Sequence, residues 1–394
     1  MTAGPLRVQV HAADLGGCGH YRVIWPAETL AVADPQLEVE LLGPNDAGEA
    51  FRASVDLAGT IAAHGPDTVA RMQAGTFNPR DTILGGLHPD SVPAADVVVL
   101  QRPLTAHLVQ IIPLLQRRGI AVVVETDDDF ETIDRRNIAH ATVDPAKDRH
   151  RNYLHLRAAA DLADLVTVTT PALAKRYGAH GRVAVIPNYV PTRYLHTIAP
   201  PRPAGDQTVR VGWSGSLNTH PGDLETVAGP VAAVLARHRL TFHHIGEPDQ
   251  ARMRQALALP DAVPYATTGE WLPLGQYPAA MALLDIGIVP LRLSPFNEAK
   301  SWLKGLEFAA VGVPFIASPT GPYRQLAEEH GIGLVAGSRR DWRTLLDRLI
   351  VDADYRYELG EQNRARARAL TLEPNTHQWA NAWHQAAANR KANA

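Results

Sequence analysis

The stretch "FNEAKSWLKGLEFAAVGVPFIAS", Phe296 to Ser318, decides how this chain folds. Its second half, "VGVPFIAS", is a Gly-Val-Pro turn feeding a short apolar run, the pattern of a helix stop followed by a buried strand. Its first half has helical spacing. On a helix turning roughly 100° per residue, Asn297, Lys300, Lys304 and Glu307 fall within about 80° of one another. Trp302, Leu303, Leu306, Ala309 and Ala310 fill a different sector, so the helix is amphipathic with a narrow polar stripe. Lys300 and Lys304 are like charges one turn apart, which costs a few tenths of a kcal/mol. Glu307 offsets part of that, and an anion over the lysines offsets it better. The free N–H groups and positive end of a helix favour an anion in the same place. The stripe therefore reads either as a phosphate seat with a carboxylate for a sugar hydroxyl, or as a solvated helix face.

Working outward, short β-branched runs alternate with longer amphipathic ones. "LRVQVHA", "LEVELLG", "DVVVLQRP", "IAVVVET", "LVTVTT" and "VAVIPN" read as strands, with helices such as "LTAHLVQIIPLLQRRG" and "RNYLHLRAAADLAD" between them. This alternation predicts a parallel sheet covered on both faces. Pro200, Pro201, Pro203 and Gly205 interrupt it as a linker. The alternation then restarts with "VRVGWSG", a helix from about Asp223, "LTFHHIG", "IGIVPL", "VPFIAS" and "IGLVAG". The expected class is α/β, two doubly wound Rossmann-like domains with a cleft between them. The expected boundaries are 1–200, 206–372, and a helical tail over 373–394 that can cross back to the N-domain. That tail carries Trp379 and Trp383 on one face, with Trp342 upstream. Asp46 to Ser91 resists assignment.

Bulk properties narrow the function. The 394 residues suffice for two domains, and a hydrophobic content of 45% supplies their cores. A net charge of −3 argues against a general nucleic-acid binder. The single cysteine, Cys18, excludes an intrachain disulfide and a cysteine-based zinc site. The N-terminal stretch lacks the long apolar core of a signal peptide, and no run approaches the ~18 apolar residues of a membrane span. A cytoplasmic protein with no integral membrane segment is expected. No G-x-S-x-G elbow, Walker lysine loop or H-E-x-x-H occurs.

Ligands of doubly wound sheets bind at the carboxyl ends of the strands. The first strand ends in "ADLGGCGHYR", where Gly16, Gly17 and Gly19 let a backbone approach a ligand, or simply make a tight turn. It is not a dinucleotide fingerprint. "IAVVVET" ends in Asp127, Asp128 and Asp129, suited to a general base, a sugar ligand or a metal ligand, or equally to a capping turn. In the second half, Ser214, Gly215 and Ser216 offer N–H and hydroxyl donors for a phosphate. The "LTFHHIG" strand ends at Gly246 and Glu247, and at least one of His243 and His244 inside it is expected to pack. "TTGEW", Thr267 to Trp271, lies before a helix where backbone can read a base edge.

Two such domains, with "VAVIPNYV", "GEWLPLGQYPAAMALLDIGIVPL" and "EFAAVGVPFIAS", resemble the GT-B nucleotide-sugar glycosyltransferases of the family 4-like group. The likeness spans nearly the whole chain and is strongest over Ala184–Val190 and Trp271–Ser318. "N-x-x-K-S-x-x-K-x-x-E" and "D-D-D" are similar to members of actinobacterial and bacteriophage type. The resemblance implies that Glu307 contacts the donor ribose. The family's first Glu would fall at position 299, which is Ala299, so its donor-sugar contact does not carry over; Asn297 and Glu298 are out of register. The family's basic residue early in the C-domain is also missing from "GWSGSLNTHPGD". The resemblance then leaves the diphosphate to Lys300 and Lys304, with a hydroxyl from Ser301. It further implies glycosyl transfer from a nucleotide-diphosphate sugar as co-substrate, with no cofactor and no bound metal. Asp127, Asp128 and His20 are the expected catalytic residues on the acceptor side, and Gly16, Gly17, Ser214, Gly215, Ser216, Gly246 and Glu247 complete the donor set. The acceptor stays open among protein, glycan, small molecule and nucleic acid. A nucleotide-sugar epimerase of the same fold and a non-catalytic nucleotide-sugar binder are the alternatives.

Overall fold

The structure is a computed structural model that describes residues 4–42, 94–200, 208–268 and 272–393. Asp46 to Ser91, Pro201, Pro203 and Gly205 of the expected linker, and Gly269 to Trp271 lie outside the described residues. The chain forms two compact units. The first is Met1–Glu131, Ala141–Pro187 and Thr376–Ala394; the second is Thr132–His140 and Asn188–Asn375.

The first unit is built on a parallel sheet of β1 (Leu6–His11), β2 (Leu37–Leu42), β3 (Val97–Gln101), β4 (Ala121–Thr126), β5 (Leu165–Val168) and β6 (Val183–Val185), in the order β2-β1-β3-β4-β5-β6. Every residue of β3 and β4 is buried. That is why "VVVLQ" and "AVVVET" show no polar alternation: both faces of the sheet are covered. Two of this unit's helices start where a side chain takes up an orphan N–H group. Asn152 caps Tyr153–Leu162, and Thr170, ahead of Pro171, caps Pro171–Tyr177.

The glycine loop departs from the expected turn. Gly17–Gly19 already has helical conformation and runs into a π-helical turn over His20–Ile24. That turn delivers Arg22 into the core, where it is fully buried. Arg22 Nε and Nη2 donate to Glu125 at 2.8 and 3.1 Å, and Nη1 donates to the Ile186 carbonyl at 2.8 Å. Thr167 donates to the same carboxylate at 2.6 Å. With both ions paired and hydrogen-bonded, burial of the charges is tolerated.

The second unit holds β7 (Val211–Ser214), β8 (Phe242–Ile245), β9 (Tyr265–Thr267), β10 (Ile286–Val289), β11 (Phe315–Ala317) and β12 (Leu334–Val335), in the order β12-β11-β10-β7-β8-β9. All pairs are parallel. Counted from β7 this is the 3-2-1-4-5-6 order of the dinucleotide fold, with its switch point between β7 and β10. Packing between β7 and β8 is close: a Cβ on Gly212 of β7 would lie 2.7 Å from the His243 carbonyl. Trp342 belongs to this unit's core, with Trp213 and Phe242.

Candidate functional site

The helix expected to carry Asn297 through Glu307 is two helices. Pro295–Ala299 stops where Lys300 turns extended (φ −63°, ψ 159°), and a second helix runs over Leu303–Ala310. Asn188, just after β6, makes the break. Its Nδ2 donates to Ser301 Oγ at 2.8 Å, and its carbonyl accepts from Trp302 Nε1 at 3.1 Å. Ser301 Oγ also accepts from the Leu303 N–H at 3.3 Å, closing the start of the second helix. The single polar stripe of the sequence reading is therefore corrected. Lys304 and Glu307 remain on one short helix, with Lys304 in its first turn. Lys300 stands off it, its Nζ 4.5 Å from the centre of the Phe296 ring.

Asn297 and Glu298 are committed within the protein. Asn297 Nδ2 donates to Asp223 Oδ1 and to the Arg292 carbonyl, each at 2.9 Å. Glu298 accepts from the Gly321 N–H at 2.8 Å, at the start of the helix Gly321–His330. Neither replaces the carboxylate missing at Ala299, which is itself buried.

Lys304 sits in a polar cluster at the switch point. Burial and then Lys300 lower its pKa, against the opposing fields of Glu307 and Asp223. Glu307 is 5% exposed. Burial and the Glu307 charge raise both Tyr277 and Tyr323. The Tyr277 hydroxyl contacts Ser214 Oγ at the end of β7, a fully buried serine. Gly215 follows at φ +153°, and the Ser216 carbonyl accepts from the Thr219 and His220 N–H groups at 3.2 and 3.1 Å, so the loop is a tight turn. Gly246, at φ +152°, packs so closely that a Cβ would meet the Gly215 carbonyl at 2.3 Å. Glu247 accepts from Asn218 at 3.4 Å. His244 is the packed histidine: it stacks on Trp213 and bonds the Gly215 carbonyl at 2.8 Å and the Tyr265 hydroxyl at 3.0 Å.

Asp223 and His220 are the residues that sequence reasoning missed here. Asp223 is 2% exposed. It accepts from the Arg292 N–H at 2.9 Å as well as from Asn297, and pairs with His220 Nδ1 at 2.9 Å. Their only sequence signal is the His-x-x-Asp spacing in "THPGD", which is weak by itself.

Gly16, Gly17, His20, Asp127 and Asp128 all lie in the first unit. Asp14 accepts from the Gly16 and Gly19 N–H groups at 2.7 and 3.3 Å and pairs with Arg102 beyond β3, fixing the glycine loop at that sheet's switch point. His20 Nδ1 lies 2.9 Å from the Gly16 carbonyl. β4 ends at Thr126, which places the three aspartates at a strand's carboxyl end. No α-helix starts there, only a 3-10 turn over Phe130–Thr132. The members differ. Asp129 and Glu131 share Arg176, at 3.1 and 3.3 Å. Asp127 is 8% exposed, and its Oδ1 is buried with no hydrogen-bond partner among the described residues. Such an oxygen costs free energy unless a ligand, a water or a catalytic role accounts for it. Among the described residues, no group of three or more acidic, histidine or cysteine side chains is arranged to hold a metal, and no helix is long and apolar enough to cross a membrane.

No protein-family model matches the chain, and no curated protein matches it. Solved structures do. A sucrose-phosphate synthase from Thermosynechococcus elongatus aligns with a TM-score of 0.58 at 18% identity, covering 96% of this chain and 98% of that one. A UDP-forming α,α-trehalose-phosphate synthase from Burkholderia xenovorans aligns at 0.58 and 14%, covering 97% and 99%. A protein from Listeria monocytogenes described as a "putative UDP-N-acetylglucosamine 2-epimerase" aligns at 0.50 and 11%, covering 93% and 94%. At these identities the likeness establishes the fold, which is GT-B with two Rossmann-like domains.

Proposed function

We propose that the protein is a glycosyltransferase that moves a sugar from a nucleotide-diphosphate donor to an acceptor. The second unit binds the donor, with Lys300 and Lys304 on the diphosphate and Glu307 on the ribose. Ser214, Gly215 and Ser216 supply the nearby backbone and hydroxyl groups, with Gly246 and Glu247 flanking them. The observation that carries this reading is Lys304 in the first turn of its helix, beside Lys300 and one turn before buried Glu307, at a sheet switch point. Negative charge grows on the leaving diphosphate as the glycosidic bond breaks. Cations and helix N–H groups fixed there stabilise the transition state more than the ground state, and a metal is not required for that role. In the first unit, Asp127, Asp128 and His20 serve the acceptor, with Gly16 and Gly17 giving close backbone approach. Asn297 contributes by holding Asp223.

The UDP-forming enzyme among the structural neighbours makes UDP and GDP the natural probes. Lys304→Ala removes a charge-assisted contact and is expected to weaken nucleotide diphosphate binding by about 1.5–3 kcal/mol, with the fold intact. Calorimetric titration of both proteins measures this; equal affinities return the lysines to a solvated face. The epimerase of like fold keeps a second reading in view, in which the chain acts on the donor itself. Donor conversion with no acceptor product would favour it.

A further inference from the structure

A hollow of about 390 Å3 opens in the second unit beside the loop that follows β7. That size lies within the range of small-ligand pockets, roughly 300–1,000 Å3. Neither Lys300 nor Lys304 lines it. Its polar lining comes from three separate places: Arg136 from the Thr132–His140 segment, His220 and Glu225 from the chain after β7, and Arg252 from the helix Gln250–Leu257.

These side chains are held in place. The Thr132–His140 segment is fastened to the loop by Asn137 Nδ2, which donates to the Thr219 carbonyl at 2.9 Å, and by the Ile138 N–H, which donates to the Asn218 carbonyl at 3.0 Å. Arg136 spends Nε and Nη2 on Asp134, at 3.2 and 3.1 Å, and this leaves Nη1. Asp134 also pairs with Arg292, so one carboxylate serves two guanidiniums. Arg136 lies against Gly222, whose φ of +82° calls for a glycine, and a Cβ there would come within 2.9 Å of Nη2 and push the guanidinium aside. Arg252 spends Nη1 on Asn218 Oδ1 at 2.8 Å and, at 3.6 Å, on the Asp249 carboxylate, leaving Nη2.

His220 supplies the opposite chemistry. Its Nδ1 faces a carboxylate, which only accepts, so Nδ1 carries the hydrogen and Nε2 is the acceptor. Burial, reinforced by the charges of Lys300 and Lys304 and opposed by the Asp223 hydrogen bond, holds the imidazole below its ordinary pKa and favours the neutral ring. Glu225 adds a second acceptor. Donors suited to a phosphate and acceptors suited to hydroxyl hydrogens thus line one hollow, with Leu217, Pro221 and Ala256 to cover carbon.

We propose that this hollow binds a small hydroxylated phosphate monoester, a phosphorylated polyol or sugar. Arg136 and Arg252 take the phosphate oxygens, and His220 and Glu225 accept from hydroxyls. The proposal does not rest on the donor site, and its test contains no nucleotide. The full chain is titrated by calorimetry with glycerol 3-phosphate, inorganic phosphate and glycerol. Glycerol 3-phosphate is expected to bind at millimolar or tighter, inorganic phosphate about tenfold more weakly, and glycerol not measurably. Arg252→Ala is expected to weaken glycerol 3-phosphate about tenfold with an unchanged melting temperature. Gly222→Ala, which displaces Arg136, is expected to weaken it too. Lys304→Ala, which removes a neighbouring charge but no lining group, is expected to weaken it much less than Arg252→Ala does. Absence of saturable binding, or full affinity in Arg252→Ala, overturns the proposal. Loss in Lys304→Ala but not in Arg252→Ala also overturns it, by moving the phosphate to the lysines. Inorganic phosphate binding as tightly as glycerol 3-phosphate removes the hydroxyl-reading role of His220 and Glu225.

Discussion

Removing the chain after Glu373 is expected to unfold the first unit while the second stays folded. The helix His377–Ala392 belongs to the first unit, although it follows the whole of the second in sequence. Trp379 and Trp383 are 2% and 1% exposed. Trp379 Nε1 donates to the Arg22 carbonyl at 2.9 Å, and its ring lies 5.4 Å from the Arg22 guanidinium carbon. Further along, Asn389 donates to the Asp164 carbonyl at 2.9 Å, and Arg390 pairs with the Asp164 carboxylate at 3.4 Å. Truncating one buried tryptophan costs about 3–5 kcal/mol, and a domain's whole stability is about 5–15 kcal/mol. Loss of both, together with the cover they give the buried Arg22–Glu125 pair, exceeds what a unit of this size can absorb. Limited proteolysis with fragment mapping reads the result: cleavage should spread through 94–131 and 141–187 while 208–375 stays resistant. Wild-type resistance in both units would show that the helix is dispensable. The single variants Trp379→Ala and Trp383→Ala should each lower the first unfolding transition only.

What was legible in the sequence was what local pattern controls. β3 and β4 could be read because continuous β-branched runs bounded by polar residues have few other uses. The helix stop at Gly312 could be read because it needs φ +77°, ahead of Pro314. β9 went unread because Tyr265–Thr267 is three residues long, too short for alternation to register. The break at Lys300 was hidden for a different reason. The helical spacing of Asn297 to Glu307 is intact, and the group that interrupts it, Asn188, lies 113 residues away. The assignment of Thr132–His140 to the second unit has the same origin, since Asn137 and Ile138 bond a loop some eighty residues further on. Asp223 escaped notice because its importance lies in partners from three segments: the His220 ring, the Arg292 backbone and the Asn297 amide. Tertiary hydrogen bonds of this kind leave no periodicity behind.

Replacing Asp127 by Asn is expected to lower kcat by roughly 10²–10⁴ and to leave nucleotide affinity close to wild type, the range for a positioned acid or base. The expectation separates three adjacent aspartates by environment. Asp129 is tied to Arg176, and Asp128 is only partly buried. Asp127 lies at the carboxyl end of β4 with a buried Oδ1 that has no hydrogen-bond partner among the described residues, and what sets it apart from Asp129 is that no arginine among those residues pairs with it. A carboxylate kept in that state costs folding free energy, and Asn keeps the shape while removing the charge and the basicity. A purely structural Asp127 would therefore tolerate Asn, with rate unchanged and stability equal or higher. A catalytic one would lose rate at constant or raised melting temperature, because activity and stability then pull in opposite directions. Single-turnover transfer by Asp127→Asn and Asp128→Asn, each with its melting temperature, distinguishes the two. Full activity in both would take the aspartate run out of the mechanism. The acceptor chemistry would then fall to the loop after β1, and to His20 before Asp14, because Asp14 is already engaged by Arg102 and by two N–H groups of the loop it holds.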